Sequence, residues 1–172
     1  MRSAKRYTNQ TFTKRVDHEG GPHRPFKGMS EPAVCGKCGS TYENRRWTLK
    51  SSSEGERKHK HWTPADMVTC PACVQLATGV VGGYLRLTGT FLTDHLDEIM
   101  QLLKHEEGNA AEDNPLSRVM RYIPSERSMV VETTTEHLAQ RLGHAVERAY
   151  GGRISYDFSH ENKVARVDWH RD

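Results

Sequence analysis

The chain has 172 residues, of which 35% are hydrophobic, and a formal net charge of +3 at pH 7. Its mean hydropathy of −0.79 argues against one large core and points to one modest domain, or two small ones with a tail. No stretch approaches the ~20 apolar residues of a membrane span, and the start MRSAKRYTNQTFTKR lacks the apolar segment of a secretory signal. The expectation is a cytoplasmic protein with no membrane partner.

The net charge conceals a division. Residues 1–62 carry 14 Lys/Arg against 6 Asp/Glu, and residues 63–172 carry 11 against 16. A basic front half suits a polyanion, and an acidic back half suits folding or a protein partner. Residues 1–32 read as a basic, largely disordered arm, broken by Gly20, Gly21, Pro22, Pro25, Gly28 and Pro32. In it Tyr7, Phe12 and Phe26 are interleaved with Arg2, Lys5, Arg6, Lys14, Arg15, Arg24 and Lys27. Cations neutralise phosphates and aromatic planes stack on unpaired bases, so this mixture suits RNA. A solvated tail with no specific partner has the same composition.

Residues 33–75 read as a zinc-ribbon module. Its four cysteines, Cys35, Cys38, Cys70 and Cys73, are the only ones in the chain and form two C-x-x-C pairs. Each pair offers two thiolates on one tight turn, and two pairs complete the shell of one closed, structural zinc ion. Two other uses compete: a pair of disulfides, suited to an oxidising compartment, and thiol-redox chemistry at Cys70 and Cys73, since CPAC has the form of a redox dithiol. After the first knuckle, TYENRRWTLK has strand composition, with Arg45, Arg46 and Trp47 projecting on alternating faces. SSSEGERKHKH reads as an exposed loop carrying Arg57, Lys58 and Lys60. Trp47 and Trp62 are expected to cover the metal site, because a small zinc module has little else to bury.

Residues 76–83 read as a hinge into an α+β domain over 83–170. GYLRLTG alternates as a strand. FLTDHLDEIMQLLKHEE then places Leu92, Leu96, Ile99 and Leu103 on one helical face, and GNAAEDNP ends that helix. SRVMRYI and SMVVETT form a hairpin turning at residues 124–127, and Thr133 to Glu136 match a capping box for a second helix. RISYDFS and KVARVDW form a closing hairpin. The order is β-α-β-β-α-β with one extra strand, a ferredoxin-like pattern. His137, Arg141, His144 and Arg148 share one face of the second helix, either against phosphates or as a solvated stripe. The chain carries no nucleophile–base pair, phosphate loop, paired carboxylates or open metal position, so no enzyme and no small-molecule substrate is expected.

The segments VCGKCGSTYENRRWTL, TCPAC, GYLRLTGTFLTDHLDEI, NPLSRVM and VVETTTEHLAQRLGHAVERAYGG resemble a family of small uncharacterised bacterial proteins, over about residues 30–170. In its paired knuckles followed by an α+β segment, the chain is also similar to the zinc-binding N-terminal part of the large-ribosomal-subunit export adaptor. That resemblance implies zinc on Cys35, Cys38, Cys70 and Cys73 and a partner in ribosomal RNA or the ribosome, ribosomal proteins included. The expected role is therefore an assembly, quality-control or dormancy factor. A protein-interaction or stress-regulatory adaptor is the rival class.

Overall fold

A computed structural model describes residues 31–49, 66–159 and 164–172. The arm over 1–30 and the loop with Arg57, Lys58 and Lys60 lie outside the described residues.

Two sheets organise the molecule. The first has strands of only three residues each: β1 (Ala33–Cys35), β2 (Thr41–Glu43), β3 (Arg46–Thr48) and β4 (Asp66–Val68). Their order is β3-β2-β1-β4, with β4 parallel to β1. Within the stretch expected as one strand, TYENRRWTLK, residues 41–48 instead form a hairpin. Asn44 and Arg45 both take positive φ, 53° and 61°, the conformation of a tight turn whose twist matches the paired strands. Helix α1 (Pro71–Thr78) follows, where the sequence suggested a hinge from residue 76. Its ends obey local chemistry: the Cys70 side chain caps the start, Pro71 occupies the first turn, and Gly79 closes it in the left-handed region.

The second sheet comprises β5 (Gly83–Thr88), β6 (Val119–Ser125), β7 (Ser128–Thr133), β8 (Arg153–Ser159) and β9 (Val164–His170). A short helix α2 (Thr90–Asp94) precedes α3 (Leu96–Asp113), and α4 (Glu136–Tyr150) follows β7. The chain order is the one the sequence suggested, with one extra strand. In space the order is β6-β7-β5-β9-β8. A ferredoxin-like sheet would place an antiparallel neighbour on the free side of β5. Here β9 lies there in parallel, from Gly83 opposite Ala165 to Thr88 opposite His170, and β8 is displaced to the edge.

The helices cover one face of this sheet. Leu85, Leu87, Met129, Val131, Val167 and Trp169 point into a core completed by Ile99, Leu103, Leu138, Leu142 and Val146. Arg86, Arg166 and Asp168 alternate onto the other face, where they are exposed. Two local expectations are corrected. Leu96 is 39% exposed, because the chain breaks at His95 between α2 and α3 and so shifts the helical face. The hydroxyl that caps α4 belongs to Thr135, which accepts from the Leu138 amide at 3.2 Å. Thr133 ends β7, and its buried hydroxyl donates to the Gly83 and Thr135 carbonyls. Helix α3 also runs on through residues 108–113, where a stop was expected.

Candidate metal centre

Four elements bring the cysteines together. Cys35 ends β1, and the knuckle folds back through Gly39, whose φ of 75° favours glycine. Hydrogen bonds from Cys35 N to Ser40 O and from Gly39 N to Cys35 O, both 2.8 Å, lock that turn. Cys38 stands on it. Cys70 follows β4 at the start of α1, and Cys73 lies in the first helical turn. The parallel pairing of β4 with β1 sets Val68 opposite Cys35, so the two knuckles meet at the same end of the sheet.

All four sulfurs lie within 4.8 Å of one another. Cys35 Sγ is 3.8 Å from Cys73 Sγ, and Cys38 Sγ is 3.7 Å from Cys70 Sγ. A disulfide would bring two sulfurs to about 2 Å, and all four cysteines are free. Sulfurs placed ~2.3 Å from a tetrahedral metal stand about 3.8 Å apart. The cluster can therefore hold a metal ion. Backbone amides already point at the sulfurs, with Cys70 N 3.3 Å from Cys35 Sγ and Cys73 N 3.5 Å from Cys70 Sγ.

The surroundings divide the thiols into two kinds. Burial raises Cys38, but the Ser40 hydroxyl and amide and the Arg118 guanidinium outweigh it and bring the thiol down to about 6. Burial also opposes ionisation of Cys35, and the amides of Cys70, Cys38 and Lys37 more than offset it. Burial holds Cys70 and Cys73 above the ordinary thiol range, assisted by the charge of Cys38. The surroundings thus favour the thiolate at Cys35 and Cys38 and disfavour it at Cys70 and Cys73, where a bound cation would favour it instead.

This pattern bears on the redox alternative. CPAC does open a helix after a strand, as redox dithiols do. A redox pair also needs an accessible, low-pKa nucleophile. Cys70 is 0% exposed and its thiol is held up, the reverse of that requirement.

The cysteine cluster is joined to the larger sheet by side chains that the sequence did not single out. Arg118, between α3 and β6, approaches Cys73 Sγ at 3.9 Å and holds Pro115 O at 2.8 Å. Gln75, buried in α1, donates to Thr134 O at 2.8 Å and to Val80 O at 3.2 Å. A glutamine inside CPACVQLAT gave no sign of this role, because its partner is 59 residues away.

Trp47 is 5% exposed and packs beside Tyr42, with ring centroids 5.3 Å apart, in the small core that contains Cys35, Cys70 and Cys73. Arg45 and Arg46, at the hairpin tip, are exposed beside it. Lys37 is exposed on the first knuckle. The second-helix stripe is largely committed within the molecule. Arg141 reaches Glu106 at 3.1 Å and Asp113 at 2.8 Å, His144 lies 3.5 Å from Glu147, and His137 lies 3.9 Å from Glu136. His95 pairs with Glu98 at 3.3 Å and stacks on Phe91. No helix among the described residues is long and apolar enough to cross a membrane.

No protein-family model matches this chain, and no curated protein or solved structure matches it either.

Proposed function

We propose that the chain is a non-enzymatic, cytoplasmic zinc protein that binds RNA, with the ribosome as its partner in assembly, quality control or dormancy. The observation that carries this reading is the cation-bearing surface of the metal module. Lys37 on the first knuckle and Arg45 and Arg46 on the hairpin tip are exposed on a frame fixed by the cysteine cluster. Rigid cations lose less entropy on meeting phosphates than cations on a flexible chain. The positive charge of residues 1–62 lies in the same part of the chain. Zinc suits the all-sulfur shell, and a four-thiolate site leaves no open position for an activated water. The similarity of the paired knuckles to those of the ribosomal export adaptor points the same way.

Sedimentation of a lysate through a sucrose gradient tests the proposal. The protein should travel with ribosomal fractions at low salt and leave them steeply as salt rises. Recovery only at the top of the gradient at low salt would overturn it.

A protein-binding adaptor is favoured by a different observation. Met67 is 75% exposed on β4, at the edge of the first sheet, and Leu76 and Val80 are each 42% exposed nearby in sequence. Exposed apolar groups on a small module suit a protein partner. Co-purification of a protein that survives nuclease treatment and is lost in Met67→Ser would favour this second reading.

A further inference from the structure

The four sulfurs differ in how easily a reagent can reach them. Cys35, Cys70 and Cys73 are 1%, 0% and 5% exposed, whereas Cys38 is only partly buried. Gly36 and Lys37 on the same knuckle are exposed beside it. A small oxidant therefore meets Cys38 before the other three. A sulfur of the opposite knuckle stands behind it: Cys70 Sγ is 3.7 Å from Cys38 Sγ, across 32 residues of chain. Cys35 and Cys73 form a second pair across the knuckles, at 3.8 Å. Oxidation-sensitive cysteines combine these two features, an accessible sulfur and a resolving cysteine next to it.

We propose that Cys38 is a peroxide-reactive site whose oxidation product is resolved by Cys70. The Cys38 thiolate attacks one oxygen of hydrogen peroxide, the O–O bond breaks, and hydroxide leaves as Cys38 becomes a sulfenic acid. The Cys70 thiolate then attacks the Cys38 sulfur. The S–S bond forms as the S–O bond breaks and a second hydroxide leaves. In sum, two thiolates and one peroxide give one disulfide and two hydroxides. The centre loses two of its four ligands, and the metal is released. A second equivalent of peroxide joins Cys35 to Cys73 by the same steps. The inference rests on the proposed zinc for the released ion; the disulfide is formed by the cysteines alone.

The cross-knuckle pairing has a structural consequence. A disulfide within either C-x-x-C closes a loop of two intervening residues and leaves β1 and α1 untied. A Cys38–Cys70 bond links the turn after β1 to the start of α1, the same two places that a shared metal links. A disulfide across a loop of that length restrains the unfolded chain. The oxidised module therefore exchanges a metal tie for a covalent one and stays folded. Chelation removes the metal and puts nothing in its place.

The test uses the full chain, with metal content measured first. Excess hydrogen peroxide is added, released metal is followed with a chromogenic chelator, and non-reducing peptide mapping identifies the disulfides. Cys38 should be the first residue trapped by dimedone and Cys38–Cys70 the first disulfide, with loss of all bound metal. Amide exchange over 31–49 and 66–78 should stay slow after oxidation and become fast after chelation. A first disulfide within one knuckle, or a metal-loaded chain left unmodified by excess peroxide, overturns the inference and leaves the zinc reading intact. Fast exchange after oxidation overturns the covalent tie. A metal-free chain that still forms Cys38–Cys70 keeps the oxidation site and overturns the zinc reading. A metal-free chain with no disulfide and no trapped Cys38 overturns both.

Discussion

The two sheets solve the same problem with different means. The second has strands of six and seven residues and a core in which Leu85, Leu87, Val131, Leu142, Val146 and Trp169 are all fully buried. The first has three-residue strands, and its small core consists of Ala33, Tyr42, Trp47 and Ala72 around three buried cysteines. Small units of that kind need a covalent or metal tie. Packing maintains the larger sheet; the smaller one is expected to depend on a metal held by its cysteine cluster.

The largest expected effect would break that contrast if it failed. Cys70→Ser, or a strong chelator, should unfold the module if the proposed zinc is bound there, because structural zinc contributes ~10–16 kcal/mol to sites of this kind. Hydrogen exchange should then show lost protection over 31–49 and 66–78 with protection retained in β5, β7 and α4. Uniform loss across both sheets would mean that the metal maintains the whole molecule. Persistence of both sheets, with disulfide exchange abolished, would instead restore the thiol-redox reading.

A smaller effect probes the packed sheet. Glycine within a helix is ordinarily less stable than alanine. At Gly143, however, a Cβ would stand 2.6 Å from Val167 Cγ1 and 3.1 Å from Ile154 Cδ1. Overpacking of this kind costs about 1–3 kcal/mol, so Gly143→Ala should lower the denaturant midpoint rather than raise it. Urea unfolding with metal bound would read the sign.

The joint between the regions should respond less. Gln75→Leu removes the donor to Thr134 O and Val80 O, at a cost of about 1 kcal/mol. The expected result is faster exchange in α1 and around Thr134, with metal content unchanged. Unchanged exchange at both places would show that Gln75 does not join the two regions.

Acid and alkali should separate the regions in opposite directions. Metal binding needs thiolates, so acid should release the ion and loosen the module. Alkali acts on the larger core. Burial, helped by Glu107, pushes Tyr122 up to about 12, and burial, helped by Glu147, does the same for Tyr156. An unfolded tyrosine ionises near 10, so between pH 10 and 12 the unfolded state holds fewer protons and stability falls as pH rises. Tyr122→Phe should flatten that fall in a pH series of thermal melts.

The parts of this architecture readable from sequence were those governed by local spacing. Two C-x-x-C pairs with no cysteine left over named the cluster, and the alternation in KVARVDW named the buried set Ala165, Val167 and Trp169. The hairpin in TYENRRWTLK was hidden because Asn44–Arg45 lacks the glycine that usually marks such a turn. Helix α1 carried its signals, Pro71 near the start and Gly79 just past the end, but the zinc reading absorbed the same residues. Three consecutive threonines offered three cap registers, and only the end of β7 at Thr133 selects Thr135. The place of β9 between β5 and β8 depends on pairing across about 80 residues, which no short window contains.

That position of β9 has a consequence for biosynthesis. It is the last strand of its sheet to be made, yet it has a partner on either side. Until residues 164–170 are available, β5 lacks one neighbour and the site of Trp169 beneath the helices stays empty. A chain interrupted before residue 164 would retain the cysteine quartet and every described helix and still lack a closed core. Protease digestion of such an incomplete chain should cleave within 83–159 under conditions in which the complete chain resists. The cysteine module gives no comparable safeguard, because its four cysteines are all made by residue 73.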